Sequence, residues 1–138
     1  MLKAFAVMTI LPVLMASGGP PPVRSIGVLF DGDSSAIVSG KTVYFAVPFG
    51  CTIQGWDMTI DAGAASIDIW KRGNDSSNPT YLNSITASNT PAITQGYHVH
   101  STNLAGWSTS VSPYDDFGFY LKFASGGVTQ ASLVLQCQ

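Results

Sequence analysis

Charge is what this chain lacks most. Lys, Arg, Asp and Glu together make up 10% of its 138 residues, against about 25% in an ordinary soluble domain. The surface must then be built largely from Ser, Thr, Asn, Gln and Gly, which suits a protein most of whose faces meet other proteins, or one whose solubility does not depend on charge repulsion. A net charge of −2 leaves no basic footprint, which argues against direct nucleic-acid binding. Two cysteines are too few for a disulfide scaffold and have no zinc spacing. The longest apolar run, Ala4 to Ala16, is too short to span a bilayer, which takes about 20 residues. There is no Gly-x-Ser-x-Gly elbow, no glycine-rich phosphate loop and no amphipathic helix. No reaction and no cofactor can be read from these residues.

What is present is alternation. Short runs of period two, punctuated by turn residues, are the mark of a sandwich or barrel. Ser25 to Asp31 reads as a strand ending in an Asp31-Gly32 turn. In the next strand Val43, Phe45 and Val47 share one face and Tyr44 and Ala46 the other, and Pro48 and Gly50 close it. Cys51 and Ile53 then have one parity, but Trp56, Met58 and Ile60 have the opposite one. A strand keeps both sets inside only by gaining a residue, and Gly55 is the place for a β-bulge. Ile67 and Ile69 alternate with Asp68 and Trp70. Phe117, Phe119, Leu121 and Phe123 line one face of the clearest strand, with Tyr120 and Lys122 on the other. Burying those four contributes on the order of 8 kcal/mol before entropy is counted. Ala131, Leu133, Leu135 and Cys137 share one side of the final strand. The stretch from Asn74 to Thr109 reads as Ser-, Asn- and Pro-rich loops with short strands. Seven or eight strands at this spacing predict an all-β fold, an antiparallel two-sheet β-sandwich, jelly-roll-like, with an extended N-terminal arm. The sandwich covers residues 26–138 and the arm and its linker residues 1–25.

Both cysteines fall on inward parity. Should the Cys51 strand pair antiparallel with the last strand, the sulfurs of Cys51 and Cys137 come close and a disulfide follows. Two buried thiols packing as small hydrophobes is the other reading. His98 and His100 sit two apart on one strand face. One such pair is too few for a metal site within a chain. Three copies about a threefold axis would offer six imidazoles, but the plain reading is two solvent-facing histidines at a strand edge, and no metal is assigned. Asp31 to Ser35 reads as a turn, since a calcium loop needs a longer pattern of oxygen ligands. Asp115 and Asp116 likewise read as a turn before a strand, because paired carboxylates for glycoside hydrolysis would need a cleft. Aromatics that fall outside one core stack on sugar rings, fill a subunit interface or cap a second layer. Trp70, Tyr97, Trp107 and Tyr114 are the candidates for such glycan or interface contacts, the last three in loop-rich sequence, where function tends to lie.

The N-terminus has the grammar of a secretory signal: a short basic start, an apolar run, and Ala16-Ser17-Gly18 as a cleavage site. Pro12 interrupts that run. The leading expectation is a retained arm in which Leu2, Phe5, Val7, Ile10, Leu11, Val13 and Leu14 bury themselves against a partner. Gly18 to Arg24, with three consecutive prolines, reads as a stiff, extended linker.

The order of motifs carries a family resemblance. Ile67-Asp68-Ile69-Trp70-Lys71, Asn103-Leu104-Ala105-Gly106-Trp107 and Tyr114-Asp115-Asp116 follow a Pro-aromatic turn at Pro48-Phe49-Gly50-Cys51. In that order they resemble a β-sandwich domain of tailed-bacteriophage virion structural proteins, over nearly all of residues 26–138. Asp115-Asp116-Phe117 departs from the family, which more often has Gly-Asp followed by an aliphatic residue. A short arm also stands here where such domains often end a longer fibre protein. The resemblance implies a non-enzymatic decoration, head-fibre or tail-fibre subunit, located on the virion. Its implied partners are other virion proteins, reached through the arm, and two further copies in a homotrimer. A host-surface glycan is the partner of the alternative reading, while no nucleic acid and no membrane span is expected. The alternative is a carbohydrate- or receptor-binding module, lectin-like and secreted or periplasmic.

Overall fold

A computed structural model describes residues 19–138, so the expectations for Leu2, Phe5, Val7, Ile10, Leu11, Val13 and Leu14 lie outside the described residues. Among the described residues nine strands form, where the sequence predicted seven or eight: β1 (Arg24–Asp31), β2 (Thr42–Val47), β3 (Cys51–Ile60), β4 (Ala64–Arg72), β5 (Ala92–Ile93), β6 (His98–Ser101), β7 (Ser110–Val111), β8 (Asp115–Ser125) and β9 (Gln130–Cys137). The additional count comes from β5 and β7, two residues each. A single turn of 3-10 helix spans Tyr81–Asn83, and the described residues contain no α-helix. β1 starts at Arg24, the last residue of the stretch read as linker.

One sheet runs β1-β9-β3-β6 with β7 paired to β3, the other β2-β8-β4-β5, and all pairings are antiparallel. From β1 to β4 each strand lies in the sheet opposite its predecessor, and β8 and β9 repeat the exchange. That wrapping is jelly-roll-like. The two inner faces supply the core. Ile26, Val28, Phe30, Met58, Leu133 and Leu135 come from the first sheet, and Ile67, Ile69, Phe117, Phe119 and Leu121 from the second. Phe45 stacks on Phe119 with ring centres 5.4 Å apart, and Phe119 on Phe117 at 6.0 Å.

The parity conflict in β3 is resolved as its sequence requires. The β3–β9 register shifts between Ile53 and Gly55, leaving Gln54 as the extra residue, so Ile53 and the set Trp56, Met58 and Ile60 all point inward. Glycine is needed at the bulge. A Cβ on Gly55 would lie 2.8 Å from the Ser101 carbonyl oxygen, closer than two such atoms approach.

A second shift, in β8, overturns one expectation. Ser66 pairs with Phe123 but Ile67 with Leu121, so Lys122 is a bulge. Beyond it the parity reverses: Ala124 packs on the core and Phe123 is turned outward, 47% exposed. The apolar alternation of Phe117 to Phe123 conceals this, because an aromatic residue occupies the first outward position after the bulge.

The cysteines are bonded to each other. Cys51 opens β3 and Cys137 closes β9, with Cα atoms 5.6 Å apart. Thr52 and Gln138 exchange backbone hydrogen bonds at 2.7 and 3.0 Å, which holds these two strand ends together. A link across 86 positions limits the unfolded chain by about 4–5 kcal/mol on the chain-entropy account, although measured gains cluster near 2–4 kcal/mol.

Two outcomes are expected. Reducing the disulfide should cost about 2–4 kcal/mol of unfolding free energy, read from denaturant melts with and without reductant; superimposable melts would refute this. Gly55→Ala should cost about 1–3 kcal/mol through overpacking against the Ser101 carbonyl, and an unchanged thermal midpoint would show that the bulge accommodates a side chain.

Candidate functional site

The four singled-out aromatics do not form one platform. Tyr97 is exposed where β6 begins, its carbonyl accepting the Ile60 N–H at the far end of β3. Tyr114 is exposed at the other end, its N–H donating to the Val47 carbonyl beside the start of β3. Ten residues of β3 separate these ends, about 30 Å at the usual rise. Tyr114 also has φ of 67°, a left-handed conformation that is uncommon for a bulky side chain. Trp107 is half-buried against the core, and its indole N–H donates to the Asn89 carbonyl at 2.8 Å.

Trp70 is not available to a ligand on this chain, being 7% exposed. It faces away from the core as alternation required, yet a second layer formed by the chain itself covers it. Its ring stacks on Tyr120 at 4.8 Å. The strand pairing sets both Tyr44 and Trp70 opposite Gly118, where the missing side chain leaves room for the Tyr44 ring and Pro79. Asp68 ties the loop down beside Trp70. Its carboxylate accepts the Trp70 indole N–H at 3.0 Å, the Ser84 hydroxyl at 2.8 Å and the Thr86 hydroxyl at 2.7 Å. The Ile85 N–H, donated to the Ile69 carbonyl, extends β4's pairing into the same loop. The Asp-x-Trp spacing of the family-like motif thus has a structural use: one carboxylate holds both the ring and the segment over it.

The histidine pair lies on the outer face of the first sheet, on edge strand β6, opposite Asp57 and Thr59 of β3. His98 Nε2 and His100 Nδ1 each lie 3.1 Å from the same Asp57 oxygen, Oδ1, while Oδ2 accepts from the Gln136 side-chain amide. The imidazole side chains remain 59% and 50% exposed. Asp57 and Gln136 were not singled out from the sequence. The signal available was that Asp57 has outward parity on β3, but its neighbour becomes evident only from strand order. Among the described residues no group of three His, Cys, Asp or Glu side chains is placed to hold a metal ion.

Asp31 to Ser35 is a turn: Asp31 accepts the Asp33 N–H at 2.8 Å and the Ser35 N–H donates to the Gly32 carbonyl. The two carboxylates of the Tyr114 turn have separate surroundings. Asp115 is buried, 3.2 Å from Lys71 Nζ and accepting the Ser112 N–H, whereas Asp116 is half-buried across from Ala46.

One surface was not anticipated. β1 ends one sheet and β2 ends the other, and between these two strands opens a groove of about 170 Å³ floored by Ile26, Phe45, Val47 and Phe49. The Arg24 guanidinium sits 4.8 Å above the Phe49 ring at its mouth. This is also where the N-terminal linker leaves the body. The Gln138 side-chain amide donates to the Pro21 carbonyl at 3.1 Å, next to the Arg24–Cys137 pairing. The sequence held two hints of this: consecutive strands immediately after the linker, and an aromatic residue in the Pro48-Phe49-Gly50 turn. No helix among the described residues is long and apolar enough to cross a membrane.

No protein-family profile matches this chain and no curated protein matches it. Among solved structures it is similar to a chain of the capsid of Ralstonia phage GP4, at 14% identity and a TM-score of 0.46, covering 87% of this chain and 88% of that one. It is also similar to a chain in the complex of the Aeromonas sobria serine protease with its chaperone ORF2, at 11% identity and a TM-score of 0.37, covering 92% of this chain and 29% of that one. Likenesses this distant leave the function to be argued from the residues themselves.

Two exposed carboxylates fasten loops in a pH-dependent way. The Thr129 hydroxyl, then the Gln130 and Thr129 N–H groups, hold Asp61 below its ordinary value of 3.8. The Ser77 N–H and then Arg72 do the same for Asp75. A depressed carboxyl contributes stability above its unfolded value and loses it as pH falls through the folded one. Asp61→Asn should therefore lower stability at neutral pH, and its gap from wild type should close as pH drops below about 4. Unfolding midpoints between pH 7 and pH 3 give the comparison; a gap that does not change with pH would overturn this assignment.

Proposed function

We propose that this chain is a non-enzymatic structural component of a phage virion, a decoration, head-fibre or tail-fibre subunit anchored by its apolar N-terminal segment. The sandwich faces outward, as one member of a homotrimer. The observation that carries this reading is polarity along the molecule. The linker is tied to the body at one end, through Pro21 and Gln138 beside the Cys51–Cys137 bond. The turns around Gly32, Asp61 and Thr129 lie at the other. A body held at one end and presenting its loops at the other suits attachment to a larger surface. Scarce charge and the ordered run of virion-like motifs support the same reading, and so does a disulfide, which persists on virion surfaces and in other oxidising settings.

A second reading is a carbohydrate- or receptor-binding module, carried on a virion or secreted. Exposed Tyr97, on the end away from the linker, favours it, since an aromatic ring on a loop is the usual surface for stacking a sugar.

Deleting residues 2–19 should leave a folded, soluble domain that no longer joins the particle. Normal incorporation of that deletion would overturn the anchoring role. A glycan array probed with the assembled oligomer decides the second reading: a null result removes it, and binding that survives Tyr97→Ala removes Tyr97 from it.

A further inference from the structure

The groove between β1 and β2 is a place where both sheets end side by side with apolar floor residues beneath them. Val47 and Ile26 at its base are almost fully buried, while Ser25, Gly27 and Ala46 on its rims are exposed. A strand edge next to an apolar channel can take an extended segment, with backbone pairing for affinity and alternate side chains in the channel. Residues 1–18 supply a segment of matching chemistry: apolar along its length, with Lys3 as its only charged side chain.

The linker sets where such a segment starts. Pro21 and Pro22 carry the chain past the end of the β1–β9 pairing, held there by the bond from Gln138 to Pro21, and the chain bends at Pro20. The segment therefore starts beyond the end of β1, past the Ser25 rim of its own groove. Eighteen residues reach up to about 60 Å when extended, enough to run the length of a neighbouring sandwich whose strands measure about 30 Å.

We propose that the apolar N-terminal segment of one copy docks in the β1/β2 groove of a second copy, floored there by Ile26, Phe45, Val47 and Phe49. The inference rests on the segment being retained for assembly, and it names the surface the segment fills. Each subunit is then both donor and acceptor, joined to its neighbour head to tail, an arrangement that closes into a ring when the rotation allows it.

The test uses the full chain, with residues 1–18 verified by intact mass. An acceptor-defective variant, Ser25→Lys with Ala46→Lys, places two charged stems on exposed rims of the groove. A donor-defective variant, Phe5→Asp with Val7→Asp, makes the segment polar. By light scattering at equal concentration, wild type should be oligomeric and each variant monomeric, with the variants' unfolding midpoint equal to that of wild type diluted until it is monomeric. An equimolar mixture should restore pairs and no larger species, because one intact segment meets one intact groove. Ser25→Lys alone replaces the double variant if the latter does not fold. A photo-crosslinker at Val7 in isotopically labelled chain, mixed with unlabelled chain, should join labelled segment to unlabelled groove residues. Monomeric wild type, a mixture that stays monomeric, crosslinks confined to a single isotope, or a native chain that lacks residues 1–18 would each overturn the proposal. These readouts need no virion, so failure here is separable from failure of particle incorporation.

Discussion

A strand has only two faces, and that constraint governs the first sheet. β3 lies at its centre, flanked by β9 and β6, with β7 at its start, and it carries inward residues of both parities. The single extra residue at Gln54 reconciles them. Without it, either Ile53 or the whole set of Trp56, Met58 and Ile60 would face solvent, and the floor of the sandwich would be lost. The bulge requires a glycine beside it, and the disulfide fixes the strand end just before it. The register of β9, and through β9 that of β1, follows from this one irregularity.

The second sheet manages its irregularity differently. Its bulge at Lys122 comes near the end of β8, where little core remains to be lost. Its outer face carries a small aromatic layer of Tyr44, Trp70 and Tyr120, roofed by the loop that Asp68 anchors. The few carboxylates of this chain are spent on such local fastenings: Asp68 on the roof, Asp115 on Lys71, and Asp61 on the turn before β9. Scarce charge thus marks a protein in which most acids hold the chain to itself.

The fold class was legible because period-two alternation survives wherever a strand keeps one face buried. The β3 bulge could be read as well, since Ile53 and Trp56 make incompatible demands on an unbroken strand. The β8 bulge could not, because Phe123 maintains the apolar alternation while pointing outward. Trp70 was rightly read as facing away from the core, but only the fold shows that residues 79–86 cover it. The Cys51–Cys137 bond followed from strand pairing that the sequence left open. The His98–Asp57–His100 cluster and the β1/β2 groove depend on which strands are neighbours across dozens of residues, and local pattern carries no record of that.

The junction between linker and body has a mechanical meaning. Tension drawn through the N-terminal segment arrives along the axis of β1, whose eight residues pair in unbroken register with β9. Such a load shears the whole ladder at once, where a perpendicular pull would open it bond by bond. The strand receiving that load is stapled to the centre of the sheet at the same end by Cys51 and Cys137. A pull applied there is thereby shared with the interior of the sandwich and does not peel away its outermost strand.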